Sequence, residues 1–302
     1  MGESHLSPYF LGVAKLEIAD EKFIRAYGTF PHPNILGAFL ILSSICGLWI
    51  LCGSYACCHP RQQSGDPGFK NKIPLAFGNF LILTGIFLSF SRSVWLTTFL
   101  IILSLLIVNR KKIAETFSKL LPFKKIFFIV LLVLVTFFAF SITLPRLHLK
   151  NCLNDQSYNL RKIYNQASFK IIHENPLLGV GPGNFTLALQ KKVETRLIAS
   201  LQHWEIQPVH NLYLLITSEI GLIGLMVFIF FILKLFSIHP FYSTTNRKKM
   251  EIQHNLFAFS FLAYLFLGFF DHYFWTLPQG QMFFWLCLAF FSSSSRIKKI
   301  TK

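Results

Sequence analysis

Residues 208–236 read PVHNLYLLITSEIGLIGLMVFIFFILKLF, and this stretch decides the class of fold. From Leu212 to Phe236 it is apolar throughout except for Glu219, a few hydroxyls and the late Lys234. A bilayer core needs about 20 apolar residues per helix, and the run has no period of two such as the wall of a transmembrane barrel would show. It is therefore expected to be a membrane helix. Its mouth is occupied by the polar pair His210–Asn211. A polar pair at that place either caps the helix or does chemistry.

Six further runs are of similar character: Ile35 to Ser54, Ile73 to Phe90, Val94 to Val108, Ile126 to Leu144, Leu256 to Phe270 and Met282 to Ser292. Hydrophobic residues make up 53% of the 302, Phe alone numbers 35, and charged residues fall to 14%. Much of the surface must then face lipid. The expected fold is all-α, a polytopic transmembrane bundle of about seven spans with a partly helical outer-face loop of about 60 residues.

The net charge of +16 would suit nucleic acid in a soluble protein, so its distribution decides the matter. Lys and Arg cluster at Arg61, Lys70 and Lys72, at Arg110 to Lys125, at Arg247 to Lys249 and at Arg296 to Lys302. These are alternate connections, which the positive-inside rule makes cytoplasmic, against anionic lipid. Nucleic acid is not needed. The chain is thus expected to divide into an outer-face segment 1–34, four spans in 35–144, a large outer loop 145–208, and three spans with a basic tail in 209–302. Seven spans with an exported start and no signal sequence lead to the further expectation that earlier membrane helices precede this chain.

The soluble pieces carry their own patterns. Residues 13–30, VAKLEIADEKFIRAYGTF, are expected to form an interfacial helix, ended by Pro31 and Pro33, with Asn34 capping the first span. In the loop, Tyr158, Arg161, Ile163, Tyr164, Ala167, Ile171 and Ile172 recur at helical spacing. Pro176 should end that helix, Gly179, Gly181 and Gly183 should make an irregular turn, and Phe185 to Ala199 should be helical again. The glycines lack the preceding strand and spacing of a dinucleotide fingerprint. Cys57, Cys58 and His59 lack a second ligand pair at zinc-site spacing, so no metal site is expected.

Few residues can carry chemistry. His210 is either part of a helix cap or a general base, since imidazole titrates near neutrality. Arg92, in SFSRSVWL, is either a snorkelling anchor or, with Ser91 and Ser93 beside it, an anion ligand on the outer face, the reading favoured here. Arg161 on the loop helix is uninformative alone. Asp271 and His272, in FFDHYFWTLPQGQ, form an ionisable pair at a helix end, which is costly without a task. Glu219 is the deepest carboxylate and is expected to pair within the bundle or orient the site.

With these residues in hand, the chain resembles the O-antigen ligase and polymerase family of bacterial membrane glycosyltransferases. FPHPNILG, SFSRSVWL, ENPLLGVGPGNF, VHNLYLLITSEIGLIGL and DHYFWTLPQGQMFFW look like successive family blocks in the family's order. The resemblance implies an enzyme of the bacterial inner membrane with its site on the periplasmic face. It implies transfer of glycan from a polyprenyl-pyrophosphate-linked donor to a sugar or lipid-linked acceptor, with neither metal nor cofactor. His210 would be the base and Arg92 and Arg161 the pyrophosphate ligands, with Asn34, Asn211, Glu219, Asp271 and His272 as possible supports. A base opposite the leaving group would give inversion. The alternatives are a transporter or flippase of lipid-linked glycan, and an inactive C-terminal fragment of such an enzyme.

Overall fold

The computed structural model describes residues 14–18, 21–51, 69–108, 110, 156–192, 206–238 and 248–296. The expected span from Ile126 to Leu144, the Cys57–Cys58–His59 cluster and residues 193–199 lie outside the described residues.

The chain opens on a hairpin of β1 (Lys15–Ile18) and β2 (Glu21–Ile24), paired antiparallel with Leu16 opposite Phe23 and Glu17 opposite Lys22. This corrects the interfacial helix expected there. The sequence Lys-Leu-Glu-Ile alternates with a period of two, the strand period. Nine helices follow among the described residues: α1 (Pro33–Leu51), α2 (Phe69–Leu88), α3 (Arg92–Val108), α4 (Gln156–Glu174), α5 (Phe185–Lys192), α6 (Leu212–Ile238), α7 (Lys248–Leu267), α8 (Tyr273–Thr276) and α9 (Pro278–Arg296). Six of them fall on six of the seven expected apolar runs. By length and apolarity, α6 is the one described helix able to cross a membrane, over Leu212–Ser237. Shorter apolar stretches lie in α1, α2, α3 and α7.

Two hydrophobic cores form among the described residues. The larger joins α1, α3, α6, α7 and α9 through Ile35, Ile41, Val94, Phe261, Tyr264, Leu267 and Phe291. Buried polar groups pin it: the Tyr264 hydroxyl donates to the Ala38 carbonyl at 2.9 Å, and Ser44 bonds Asn79 across α1 and α2 at 2.9 Å. Outward faces of this bundle stay apolar, with Phe80 on α2, Phe99 on α3 and Met226, Val227 and Phe230 on α6 each about 60% exposed, as expected for lipid contact. The smaller core is built from Tyr164, Ala167 and Ile171 of α4, Phe185 and Leu189 of α5, and Val209 and Leu215 at the start of α6. It holds the loop onto the bundle by apolar burial.

The loop also enters the helix itself. At Gly221, with φ 72° and ψ −176°, α6 is interrupted. Donors and acceptors that a continuous helix would pair with each other bond the loop instead: Leu222 N–H donates to Pro176 O at 2.8 Å and Ile223 N–H to Leu177 O at 3.4 Å, while Val180 N–H donates to Ser218 O at 3.0 Å and Gly181 N–H to Glu219 O at 2.8 Å. A Cβ on Gly221 would stand 2.0 Å from the Leu177 carbonyl oxygen, and one on Gly179 2.5 Å from the Glu219 backbone. Only glycine permits both the left-handed backbone and this approach. The expected irregular turn at Gly179, Gly181 and Gly183, with φ of 67°, 97° and 73°, is the loop's half of that junction.

Candidate functional site

The site forms where three chain segments meet: the entry to α1, the entry to α6 and the turn after α7. At the first, Pro33 begins α1 with the fixed φ that a helix start tolerates. The helix is capped by His32, whose Nδ1 accepts the Asn34 backbone N–H at 3.2 Å. Asn34, expected to be the cap, is thereby released. Its Nδ2 donates to Asp271 Oδ2 at 2.9 Å, and its Oδ1 accepts from the Arg25 guanidinium at 3.0 Å. Arg25 in turn donates from Nε to the Ser89 carbonyl at 2.9 Å, linking the hairpin to the α2–α3 turn.

At the second segment the division of labour repeats. Asn211 Oδ1 accepts both the Tyr213 and Leu214 N–H groups at 3.0 Å, so Asn211 is the cap of α6 and the His210 imidazole is free of that task. The ring stacks on Tyr164 of α4, with centroids 5.7 Å apart and planes 9° from parallel. It meets the His272 ring edge-on at 5.0 Å and 86°. Its Nδ1 is buried with no hydrogen-bond partner among the described residues. Buried nitrogens are normally satisfied, so an orphan here is a candidate for work done on another molecule.

The third segment supplies the charge. Asp271, 6% exposed, accepts from Asn34 through Oδ2 and from the His272 backbone N–H through Oδ1 at 2.9 Å. His272 Nδ1 is paired with Thr276 Oγ1 at 2.7 Å. Burial alone would raise the Asp271 carboxyl, but His210, His272, His32 and the Asn34 amide outweigh it and hold it down to about 2. Burial is also the main reason that His210 and His32 are each pushed down to about 4, with Asp271 opposing and Arg161 adding to the shift. His272 moves in the same direction for the same first cause. Near neutral pH the mouth is therefore one ionised carboxylate among three neutral imidazoles.

The residues singled out from sequence are only partly assembled. His210, Asp271, His272, Asn34 and Asn211 come together, and Arg161 on α4 is near enough to act on all three imidazoles. Arg92 is exposed at the first residue of α3. Ser91 and Ser93, expected to support it, bond each other at 3.2 Å. Glu219 does pair within the bundle: its carboxylate accepts Trp275 Nε1 at 2.8 Å and the Phe185 N–H, the first of α5, at 3.4 Å. Arg25, His32 and Tyr164 escaped the sequence reading as site residues. His32 stood in a quoted block, FPHPNILG, but only the fold shows it beside Asp271.

Beside the mouth lies a cavity of about 790 Å3, whose wall includes Pro208 and Leu212, the residues bracketing His210–Asn211, and Thr276, the partner of His272. His210, Asp271 and His272 present ligand-capable atoms within 4.8 Å of one another, so they are the described residues best placed to hold a cation. Both Asp271 oxygens, however, already accept hydrogen bonds.

Residues 77–229, half of the chain, match the family described as O-Antigen ligase. The match takes in Arg92, Arg161, His210 and Glu219, and leaves Asn34, Asp271 and His272 outside it. None of the curated proteins matches the chain.

Proposed function

Because this chain belongs to the O-antigen ligase family, we propose that it is a membrane glycosyltransferase that moves glycan from a polyprenyl-pyrophosphate carrier to a hydroxyl of a second sugar on the outer face. His210 is the general base. It takes the acceptor hydroxyl proton as the oxygen attacks the anomeric carbon, and the bond from that carbon to the pyrophosphate breaks, leaving pyrophosphate on the polyprenyl carrier. Attack opposite the leaving group inverts the anomeric centre. The proton that arrives on the imidazole is stabilised by Asp271, which stays ionised and is held in place by Asn34 and, through it, Arg25.

The observation that carries this reading is the buried, unpartnered Nδ1 of His210 on a ring fixed by Tyr164 and facing an anchored carboxylate. A base must be neutral at working pH, and the desolvated ring is. Arg161 serves the leaving group, since a guanidinium on the α4 face can grip phosphate oxygens in a fork. Arg92 is assigned to the same pyrophosphate on its resemblance to the family pattern alone. The larger topology follows the apolar runs and the alternation of basic connections, with seven spans and the loop on the periplasmic side of the bacterial inner membrane.

Replacement of His210 by Ala in cells, scored by surface polysaccharide and by glycan left on the polyprenyl carrier, tests the assignment. Transfer should be lost and carrier-linked glycan should accumulate while the protein remains in the membrane. Normal polymer from an equally abundant variant would end the case for the base. The glycan ladder also separates two uses of the same chemistry: shortened chains mark a polymerase, intact chains stranded on the carrier a ligase.

A further inference from the structure

The mouth gathers more lone pairs than a single proton transfer needs. His210 presents Nδ1, buried and without a hydrogen-bond partner among the described residues. His272 presents a second nitrogen. The Thr276 hydroxyl has one proton and gives it to the His272 carbonyl at 3.3 Å, so in its 2.7 Å pair with His272 Nδ1 the oxygen accepts. Nδ1 therefore carries the imidazole proton, and Nε2 keeps a bare lone pair. Asp271 supplies a third ligand. Each of its oxygens accepts one hydrogen bond, from Asn34 Nδ2 and from the His272 N–H, and each has a second lone pair left. His32 does not join the set, since its Nδ1 lone pair is taken by the Asn34 N–H, which leaves the proton on Nε2.

We propose that His210, Asp271 and His272 form a binding site for zinc, and that zinc bound there stops transfer by occupying the lone pair with which His210 takes the acceptor proton. The inhibition rests on the glycosyltransferase reading above; the binding does not. Two imidazoles and one carboxylate suit zinc, whereas magnesium and calcium ask for a shell of oxygens. The ligand atoms of the three residues lie within 4.8 Å of one another. A zinc tetrahedron with Zn–N of about 2.0 Å puts its ligands roughly 3.3 Å apart, and rotation of the two rings closes that difference. The groups behind the ligands are of the kind that orient metal sites: Thr276 behind His272, and Asn34, itself tied to Arg25, behind Asp271. Three protein ligands leave the fourth position to water. The Arg161 charge, which acts on both rings, opposes a dication, so zinc is held reversibly rather than as a structural ion.

The test uses the full chain in lipid nanodiscs, with cobalt(II) as a spectroscopic stand-in for zinc. Cobalt should bind with the visible bands of a four-coordinate nitrogen and oxygen site, without a thiolate charge-transfer band, and be displaced by zinc but not by magnesium. His210→Ala and His272→Ala should each weaken binding by about tenfold or more. Asp271→Asn is nearly isosteric and should weaken it too, so the ligand set is tested even if a histidine variant is poorly made. Cys57→Ser combined with Cys58→Ser should leave the bands unchanged. In proteoliposomes, saturating zinc should abolish wild-type transfer and EDTA should restore it. Absence of binding, binding only with a thiolate band, or binding kept in all three ligand variants would overturn the site. Zinc bound by these ligands with transfer undiminished would overturn the inhibition, and with it the assignment of the base. Loss of transfer in His210→Ala, with no metal bound by the wild type, would sink the zinc site alone and leave the base standing.

Discussion

Replacing Asp271 by Asn isolates the electrostatic part of the mechanism. The change keeps size and leaves the Asn34 Nδ2 donor a carbonyl oxygen to bond, but it removes the negative charge within 4.8 Å of the His210 ring. At that distance and an effective dielectric of about 20, a carboxylate attracts an imidazolium by about 3 kcal/mol. The ground-state ring is neutral, held so by burial to a pKa of about 4. The attraction therefore acts only as the proton arrives, in the transition state, and should appear in kcat. Its loss corresponds to a fall of about hundredfold. KM for both substrates should move little, because neither touches the carboxylate. The assay is initial rate against each substrate in proteoliposomes, with thermal unfolding in parallel, since one hydrogen bond to His272 N–H is also weakened and costs about 1 kcal/mol of stability. A kcat within threefold of wild type would refute the role given to Asp271. A loss confined to KM would refute it equally, placing Asp271 in binding instead.

Acid should loosen the mouth. His32 and His210 titrate near 6.5 when unfolded and about 4 when folded, so between those values the unfolded chain binds more protons and stability falls as pH drops, by about 3 kcal/mol per group at most. Their contribution is whole above pH 6.5 and gone below about 4; a midpoint temperature unchanged between pH 7 and 5 would contradict it. Gly221→Ala should disrupt the junction between α6 and the loop, because its Cβ would meet the Leu177 carbonyl at 2.0 Å, whereas Gly78→Ala, which meets nothing within 4 Å, serves as control; equal abundance and equal unfolding temperature for the two would refute the strain. Glu219→Ala strands the buried Phe185 N–H and the half-buried Trp275 Nε1 and should cost about 2 kcal/mol, with Glu219→Gln recovering part of it; unchanged thermal stability of the Ala variant would count against the pairing. Transfer should be insensitive to chelators, and abolition by EDTA with rescue by zinc would recast His210, Asp271 and His272 as metal ligands.

The helices were legible because continuous apolarity survives any packing arrangement, and the glycine turn because positive φ has few other hosts. The hairpin was not, since Glu17 to Lys22 carries enough charge to read as one face of an amphipathic helix and the decisive alternation spans only four residues a side. The site was legible by residue type and not by assembly. Asn34 and Asp271 are 237 positions apart, and nothing local in either segment names the other. His32 and Asn34 exchanged the roles their residue types suggested, because an imidazole Nδ1 at the cap position accepts the helix donor and leaves the amide to reach across. Arg161, undistinguished in sequence, is an arginine whose charge reaches all three imidazoles.

The junction at Gly221 joins two stretches of chain into one hereditary unit. Residues 176–181 and 218–223 complete each other's backbone bonding, so neither is a finished piece of structure alone. A loop transplanted from a relative to alter which sugars are joined would arrive with the wrong partners for α6 unless its matching helix segment travelled with it. Recombination between such enzymes should therefore yield working chimaeras when its breakpoints enclose both stretches, and fail when a breakpoint falls between them.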